Sequence, residues 1–140
     1  MSSLVSLAPL AAPVEYSGAS ITRKAALRDT PELLALINAY ASQGIMLPRT
    51  EFEMAENIRD FTVVSVSGRL AGCGALHFYT AASGEIRSLA VQPSCHSRGF
   101  GRTIVQTLED EAREYGLQSV FAFTYIPHFF RKLGYHELDR

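Results

Sequence analysis

This chain of 140 residues has few cysteines and a net charge close to zero. The two cysteines, Cys73 and Cys95, lack the spacing of a metal-ligand set and are too few for a disulfide framework. We therefore expect reduced thiols, as in a cytoplasmic protein, and no metal site. The 13 basic and 14 acidic side chains give a net charge of -1. Because this charge supplies no global field to recruit nucleic acid, any basic site must be local.

Targeting signals are missing from residues 1–20, which are rich in Ser, Ala, Leu and Pro and carry one charge, Glu15. Without a basic region the segment makes a poor signal or transit peptide. Its apolar run is broken by Pro9 and Pro13 and is too short to span a bilayer, so no membrane association is expected. We predict a loose leader over residues 1–20 and one domain over residues 21–140. A hydrophobic content of 47% suits a single core at this length.

Proline, glycine and capping residues divide the rest of the chain into alternating strands and helices. The run from Asp29 to Pro31 forms a helix start with a cap residue, Gly44 ends that helix, and Thr50 with Glu53 has the pattern of a capping box. The other predicted elements are strand 21–26, helix 51–58, strands 61–67, 70–78 and 85–91, helix 102–115, strand 119–124, helix 128–133 with Pro127 in its first turn, and strand 135–138.

The turns between these elements predict a mixed sheet. Short turns at Ser67-Gly68 and Ser83-Gly84 join the three middle strands into an antiparallel meander. The helix at 102–115 connects strands 85–91 and 119–124, and such a crossover makes those two strands parallel.

Residues 89–103 run from an apolar strand through a turn and a basic glycine loop into a helix. Gly99 and Gly101 let a ligand approach the backbone because they have no Cβ, and Arg98 and Arg102 add positive charge. The unpaired N–H groups and the dipole of a helix N-terminus favour an anion there. A phosphate or pyrophosphate site is one interpretation, and a tight turn with basic neighbours by chance is the other.

The order of elements and two motifs resemble the GNAT acetyltransferase family over residues 21–140. The pyrophosphate loop of that family has Gln or Arg, two residues, Gly, one residue, and Gly or Ala. Residues 96–101 (HSRGFG) match it except at the first position, His96. A short helix ending in a Leu-Gly-aromatic turn is matched by residues 129–135. The resemblance implies an α/β (α+β) fold: a mixed, mostly antiparallel sheet with a parallel, splayed strand pair and about four helices.

The same resemblance implies acetyl-CoA as the acetyl donor, bound where the two parallel strands part. The backbone of residues 89–91 would pair with the pantetheine arm, and an N–H near Leu89 would polarise the thioester carbonyl. The glycine loop would hold the pyrophosphate. The implied cofactor-binding residues are Leu89, Ala90, Val91, His96, Ser97, Arg98, Gly99, Phe100, Gly101, Arg102, Thr103 and Phe129.

Several short blocks are similar to the acetyltransferase domain of short bacterial N-acetylglutamate synthases, which acetylate the α-amine of L-glutamate in arginine biosynthesis. The blocks are 47–50 (LPRT), 58–61 (IRDF), 72–76 (GCGAL), 85–91 (EIRSLAV) and 124–130 (TYIPHFF). A small dicarboxylic substrate needs cationic partners. Arg49 matches a substrate-binding arginine of the synthases. Arg87 is the second candidate and is expected on the side of the strand that Leu89 faces. An ion pair between Arg87 and Glu85 is its alternative role.

Proton transfer has two candidate catalytic residues. Glu85 is the candidate base, acting directly or through water, and a solvated or arginine-paired Glu85 is the alternative. The tyrosine acid that the family often has is replaced by Phe130, which cannot donate a proton. Tyr125 is the nearest substitute, with a core or cofactor-packing role as its alternative. His77 and His128 are further proton carriers or structural histidines.

Family members add one more strand after the Gly-aromatic turn and its strand, and this sequence ends at Arg140. An unpaired edge strand invites pairing, so we expect a homodimer or a leader that folds back. Two other functions stay open. One is acetylation of a different amine, such as a polyamine, an antibiotic or a protein N-terminus, and the other is CoA binding without turnover.

Overall fold

The computed structural model describes residues 18–138 as a five-stranded sheet with helices on both faces. Neighbours in the sheet pair antiparallel except for the last two, which are parallel, so the predicted mixed sheet is confirmed. The leader predicted over residues 1–20 lies almost wholly outside the described residues. The strands follow in sequence order across the sheet: β1 (Ser20–Lys24), β2 (Phe61–Val66), β3 (Arg69–Phe78), β4 (Ser83–Val91) and β5 (Ser119–Phe121).

The helices give the sheet one apolar core on each face. On one face, called here the α1/α2 face, Leu33 and Met54 are fully buried. On the opposite face, the α3 face, Ile104, Leu108 and Phe130 are buried. The α-helices of residues 18–138 are α1 (Thr30–Ala41), α2 (Glu51–Asn57), α3 (Phe100–Glu114) and α4 (Pro127–Lys132).

Local capping chemistry explains where α2 begins but not where α1 begins. Thr50 Oγ1 accepts from the Glu53 N–H at 3.1 Å and Glu53 Oε1 accepts from the Thr50 N–H at 3.0 Å, which confirms the capping box. Asp29 stands before α1, but its carboxylate does not cap that helix. It accepts from Arg23 at 2.7 Å and from the Ala26 N–H at 2.7 Å instead. A tertiary ion pair therefore takes the carboxylate that the sequence assigns to a cap.

The turn predicted at Ser83-Gly84 is wrong. β4 already begins at Ser83, and Gly84 pairs with Phe78 on β3. The chain reverses earlier, where the Tyr79 N–H donates to the Ser83 carbonyl at 2.9 Å. Gly84 is needed for space, because a Cβ there would lie 2.8 Å from Leu76 Cδ1.

The final strand predicted over residues 135–138 is also wrong, since this segment joins no ladder within residues 18–138. The strand predicted over 119–124 ends early, at Phe121. Tyr135 instead anchors the chain to α3 by donating its hydroxyl to Glu109 Oε2 at 2.6 Å. Burial and that carboxylate raise the pKa of Tyr135, so the phenol stays protonated and the anchor persists.

Candidate functional site

A slot opens between β4 and β5 because their ladder is short. Pairing runs from Ser83–Ser119 to Glu85–Phe121. β5 ends there, whereas β4 continues to Val91. The predicted splay of the parallel strand pair is therefore confirmed.

A β-bulge at Ser88 lies at the mouth of this slot. Arg87 pairs with Ala75 on β3, but Ala90 pairs with Cys73, so β4 holds one extra residue in this stretch. Ser88 takes a left-handed φ of 53°. A bulge bends the strand and re-aims the side chains that follow it.

The bulge overturns the predicted direction of Arg87. Ile86 and Leu89 both pack against the core of the α3 face. Arg87 follows Ile86 directly and pairs with Ala75, which belongs to the core of the α1/α2 face. Arg87 therefore points to the α1/α2 face, opposite to Leu89, because the extra residue reverses the alternation that a regular strand would keep.

Two left-handed residues shape the glycine loop that follows β4. Ser97 has a φ of 72° and Gly99 a φ of 79°. α3 begins directly afterwards at Phe100, earlier than the predicted Arg102. Thr103 donates its N–H to the Gly99 carbonyl at 3.0 Å. The N–H groups of the first helical turn consequently point out of the helix end, which suits an anion.

The side chains of the loop take different environments. The Arg98 guanidinium carbon lies 4.8 Å from the centre of the Phe100 ring. The Phe100 side chain is buried in the core of the α3 face, and Arg98 packs over its ring. Thr103 Oγ1 donates to the Gly99 carbonyl at 3.0 Å, and Arg102 is exposed. The loop thus presents mainly backbone groups and arginine charge.

Helix α4 covers the first turn of α3. A Cβ added to Gly101 would lie 3.2 Å from Phe129 Cζ, so a larger residue at Gly101 would displace that ring. Phe130 is 5% exposed, and its ring centre lies 5.2 Å from that of Phe129 and 5.1 Å from that of Tyr135. Phe130 is a core residue.

Arg49 is held above the bulge from the connection between α1 and α2. Asn38 on α1 fixes its backbone: Asn38 Nδ2 donates to the Arg49 carbonyl at 3.0 Å and Asn38 Oδ1 accepts from the Arg49 N–H at 2.9 Å. Arg49 Nη2 donates to Ser88 Oγ at 3.1 Å, and the guanidinium lies 5.9 Å from the centre of the Phe61 ring. Neither Asn38 nor Ser88 was predicted as a site residue. Asn38 belongs to no motif, and the contact of Ser88, within the block 85–91, depends on the bulge.

A row of charged side chains lies on the α1/α2 face of β3 and β4, on which Arg49 also lies. Arg87 Nε donates to Glu85 Oε1 at 2.9 Å, which is the ion pair named as the alternative above. His77 on β3 pairs directly with Glu85 across the ladder. Its Nδ1 lies 3.0 Å from Asp60 Oδ2. His77 is thus an oriented histidine, and a sequence shows no such pair across 17 positions.

Tyr125 and His128 lie apart from this row. Tyr125 follows β5 and is 48% exposed, and its hydroxyl makes no hydrogen bond to the residues described. His128 is exposed on α4. The geometry of residues 18–138 therefore brings together Arg49, Glu85 and Arg87, and leaves Tyr125 on the α4 side of the slot.

Both cysteine thiols are buried. Burial raises the pKa of Cys73 to about 12 and also raises that of Cys95. Only the thiolate is a good nucleophile, so we expect a disulfide reagent such as DTNB at pH 8 to label the folded protein at least about tenfold more slowly than the protein in urea. Equal labelling rates in the two conditions would contradict this expectation.

Residues 18–138 contain no cluster of three or more His, Cys, Asp or Glu side chains that could hold a metal ion. The same part of the chain contains no helix with the length and apolar character needed to cross a membrane.

Comparison with known proteins places residues 29–135 on the model of the acetyltransferase (GNAT) family. An uncharacterized N-acetyltransferase of Chlorobaculum tepidum is 39% identical over 118 residues, which are 84% of this chain and 76% of that protein. An amino-acid acetyltransferase of Mycobacterium tuberculosis is 34% identical, over 85% of this chain and 70% of its own length.

Two solved structures are similar to this fold. A Mycobacterium tuberculosis protein in complex with CoA and NLQ matches 85% of this chain and 73% of its own, with a TM-score of 0.81 and 34% identity. The N-acetylglutamate synthase of Neisseria gonorrhoeae, complexed with coenzyme A and N-acetyl-glutamate, matches with a TM-score of 0.84 and 30% identity. The match covers 88% of this chain and 30% of the synthase chain.

Proposed function

Because the chain belongs to the GNAT family of acetyltransferases, we propose that it acetylates the α-amine of L-glutamate, a reaction of arginine biosynthesis. Membership of the family gives the coarser activity, an N-acetyltransferase that uses acetyl-CoA. The observation that carries the finer proposal is the placement of two arginines, Arg49 and Arg87, on the α1/α2 face at the β4 bulge.

The slot and the glycine loop suit CoA. The left-handed Ser97 and Gly99 turn the loop around the N-terminal end of α3, where backbone N–H groups favour a pyrophosphate. Gly101 leaves room between α3 and Phe129 that a larger side chain would fill. Residues 97–103 would hold the pyrophosphate, and the edge of β4 from Leu89 would hold the pantetheine arm.

The chemistry needs a deprotonated amine and a polarised carbonyl. Acetyl-CoA, when bound, supplies the acetyl carbon that the amine nitrogen attacks, and its thiol leaves as the carbon–sulfur bond breaks. In our proposal an N–H at the bulge near Leu89 donates to the thioester oxygen. Glu85 takes the amine proton, directly or through water. Tyr125 is the candidate donor to the leaving sulfur, although a thiolate leaves readily without one.

The acceptor side carries the charges that glutamate needs. Glutamate has two carboxylates and one amine, so it calls for two cationic groups around one acidic group. Arg49 and Arg87 provide guanidinium groups that can bind carboxylates through paired hydrogen bonds. Glu85 lies beside Arg87 and attracts the ammonium of the substrate. A polycationic acceptor such as a polyamine would instead meet two arginines.

An acceptor screen tests this proposal. Release of CoA from acetyl-CoA is measured with each amino acid in turn, and the product is identified by mass spectrometry. We expect glutamate to give the fastest turnover, with glutamine next because its side chain has the same length and keeps one oxygen that an arginine can bind. Turnover with glutamate and glutamine no faster than with alanine or buffer would reject the proposed acceptor.

The buried Phe130 favours a second candidate function, CoA binding without turnover, because the residue that stands in place of the usual tyrosine acid cannot supply a proton. Calorimetry with acetyl-CoA distinguishes the two. Tight binding together with no acetyl transfer to any amino acid would support the second candidate over the enzyme.

A pair of glycines on α3 gives a matched test of the cofactor loop. Gly99 before the helix and Gly116 after it both have a φ of 79° and have open space where a Cβ would go. Alanine at either position costs about 1 kcal/mol of stability through the left-handed backbone. We expect Gly99→Ala to raise the Kd for CoA about tenfold, since the helix end holds the pyrophosphate. Gly116→Ala should lower Tm equally and leave that Kd unchanged; equal loss of CoA affinity in both variants would contradict the assignment.

A further inference from the structure

His96 occupies the first position of the glycine loop, where the GNAT family has Gln or Arg. Its side chain has defined hydrogen-bond partners. Its Nε2 lies 3.2 Å from the hydroxyl of Tyr40 and 3.2 Å from the carbonyl oxygen of Val91. The Tyr40 hydroxyl itself donates to the same carbonyl at 2.6 Å. These three groups join helix α1, the end of β4 and the start of the loop.

The Val91 carbonyl that they share lies on the open edge of β4. Gln92 donates its N–H to Ala71 on β3 at 2.8 Å. The Val91 carbonyl and the Gln92 N–H belong to one trans peptide group and point in opposite directions, so the Val91 carbonyl points away from β3, into the side from which β5 has parted. A strand carbonyl at such an edge lacks a ladder partner, and here side chains from α1 and from the loop fill that role.

The hydrogen positions follow from the short bond. Because the tyrosine proton lies between Tyr40 and Val91, the Tyr40 oxygen has only lone pairs to offer His96. Nε2 of His96 must therefore carry a proton and donate, shared between the two oxygens. Burial raises the pKa of Tyr40 to about 12, so the phenol keeps its proton over the working range of an enzyme.

We propose that His96 is a positioning residue for CoA: together with Tyr40 it clamps the Val91 carbonyl and so fixes where the pyrophosphate loop leaves β4. The inference rests on acetyl-CoA as the donor and does not depend on the acceptor being glutamate. The His96 side chain acts on the backbone at the end of β4 and not on a phosphate, which explains why a residue other than Gln or Arg is tolerated at this position.

The clamp matters because the backbone conformation of the loop is energetically unfavourable without it. Ser97, next to His96, is a non-glycine residue with a φ of 72°, a conformation that persists only when its surroundings impose it. Releasing His96 lets the loop relax toward ordinary backbone angles. The pyrophosphate must then reorder the loop on binding, and affinity for CoA falls.

Calorimetry with CoA on the whole protein tests the proposal. We expect His96→Ala and Tyr40→Phe each to raise the Kd for CoA about 3- to 10-fold, the range that corresponds to one neutral hydrogen bond. The double variant should lose less than the product of the two single losses, because both act on one carbonyl. His96→Gln, whose amide can donate in the same direction, should recover most of the affinity. His136→Ala, an exposed histidine outside the loop, is the matched control.

Steady-state kinetics separate positioning from damage to the fold. The acetyl-CoA KM should rise in His96→Ala while kcat, the acceptor KM and Tm stay close to those of the parent. An unchanged Kd in His96→Ala, multiplicative losses in the double variant, or no recovery in His96→Gln would each overturn the proposal. Since CoA binding is measured without an acceptor, failure of the glutamate proposal leaves this test intact.

Discussion

Replacing Glu85 with glutamine is expected to lower kcat for glutamate about 100-fold, because loss of a general base typically costs two to four powers of ten. Glutamine keeps the shape and one oxygen for the Arg87 hydrogen bond, which Glu85 now accepts at 2.9 Å. The KM for glutamate should therefore change little. The measurement is steady-state CoA release at saturating acetyl-CoA with varied glutamate.

The matched control is His77→Gln on the neighbouring strand. His77 pairs across the ladder with Glu85 and is oriented by Asp60, so it is a second group near Glu85 that could take a proton. We expect His77→Gln to keep kcat within about threefold of the parent, as suits a residue outside the proton path. A 100-fold loss in His77→Gln with a near-normal Glu85→Gln would assign the base to histidine. A raised glutamate KM at unchanged kcat in Glu85→Gln would make Glu85 a support for Arg87 only.

Substitution of Arg49 by alanine should lower kcat/KM for glutamate about 10- to 100-fold, mainly through KM, because hydrogen bonds to charged groups are worth about 1.5–3 kcal/mol. The connection between α1 and α2 should keep its conformation, since Asn38 hydrogen-bonds to backbone atoms of Arg49 that alanine retains. The Kd for CoA should stay near that of the parent. Lysine at this position keeps the charge and loses the paired donors, so its effect should be intermediate.

The control for Arg49 is Arg69→Ala, an exposed arginine at the start of β3 on the far end of the sheet. We expect it to leave kcat/KM for glutamate unchanged, which separates binding of the carboxylates from the general charge of the protein. If Arg49→Ala matched Arg69→Ala with glutamate, the acceptor would not be bound by this arginine. A different amine would then replace glutamate in the proposal.

Several elements fixed by residues that are close in the sequence were predicted correctly, whereas two features that depend on distant residues were not. The capping box of Thr50 and Glu53 and the helix start at Pro127 are fixed by neighbours within one turn, and both are found where they are predicted. The glycine loop is equally local, because Gly99 supplies the left-handed angle that starts α3. By contrast, Asp29 lost its capping role to Arg23, a partner on another element. The strand predicted at 135–138 needed a neighbouring ladder that the described residues do not supply.

The candidate site divides in the same way. The positions of the glycine loop after β4 and of Arg49 between α1 and α2 were predicted from the sequence, since both lie in short motifs, and their proposed roles stay predictions. The direction of Arg87, the Asp60–His77 pair and the clamp of Tyr40 and His96 on Val91 could not be predicted from it. The bulge at Ser88 reverses the alternation for the residues of β4 that follow it, and the Asp60–His77 and Tyr40–Val91 contacts join positions 17 and 51 residues apart.

The sequence by itself determined most of the element types, the position of the glycine loop between β4 and α3, and the identity of the family, because each rests on patterns within a few residues. Only the tertiary structure decided which charged side chains share one face of the sheet and which carbonyl lies within hydrogen-bond distance of His96. Those outcomes depend on strand register and on helix placement, which are set by packing across the whole domain.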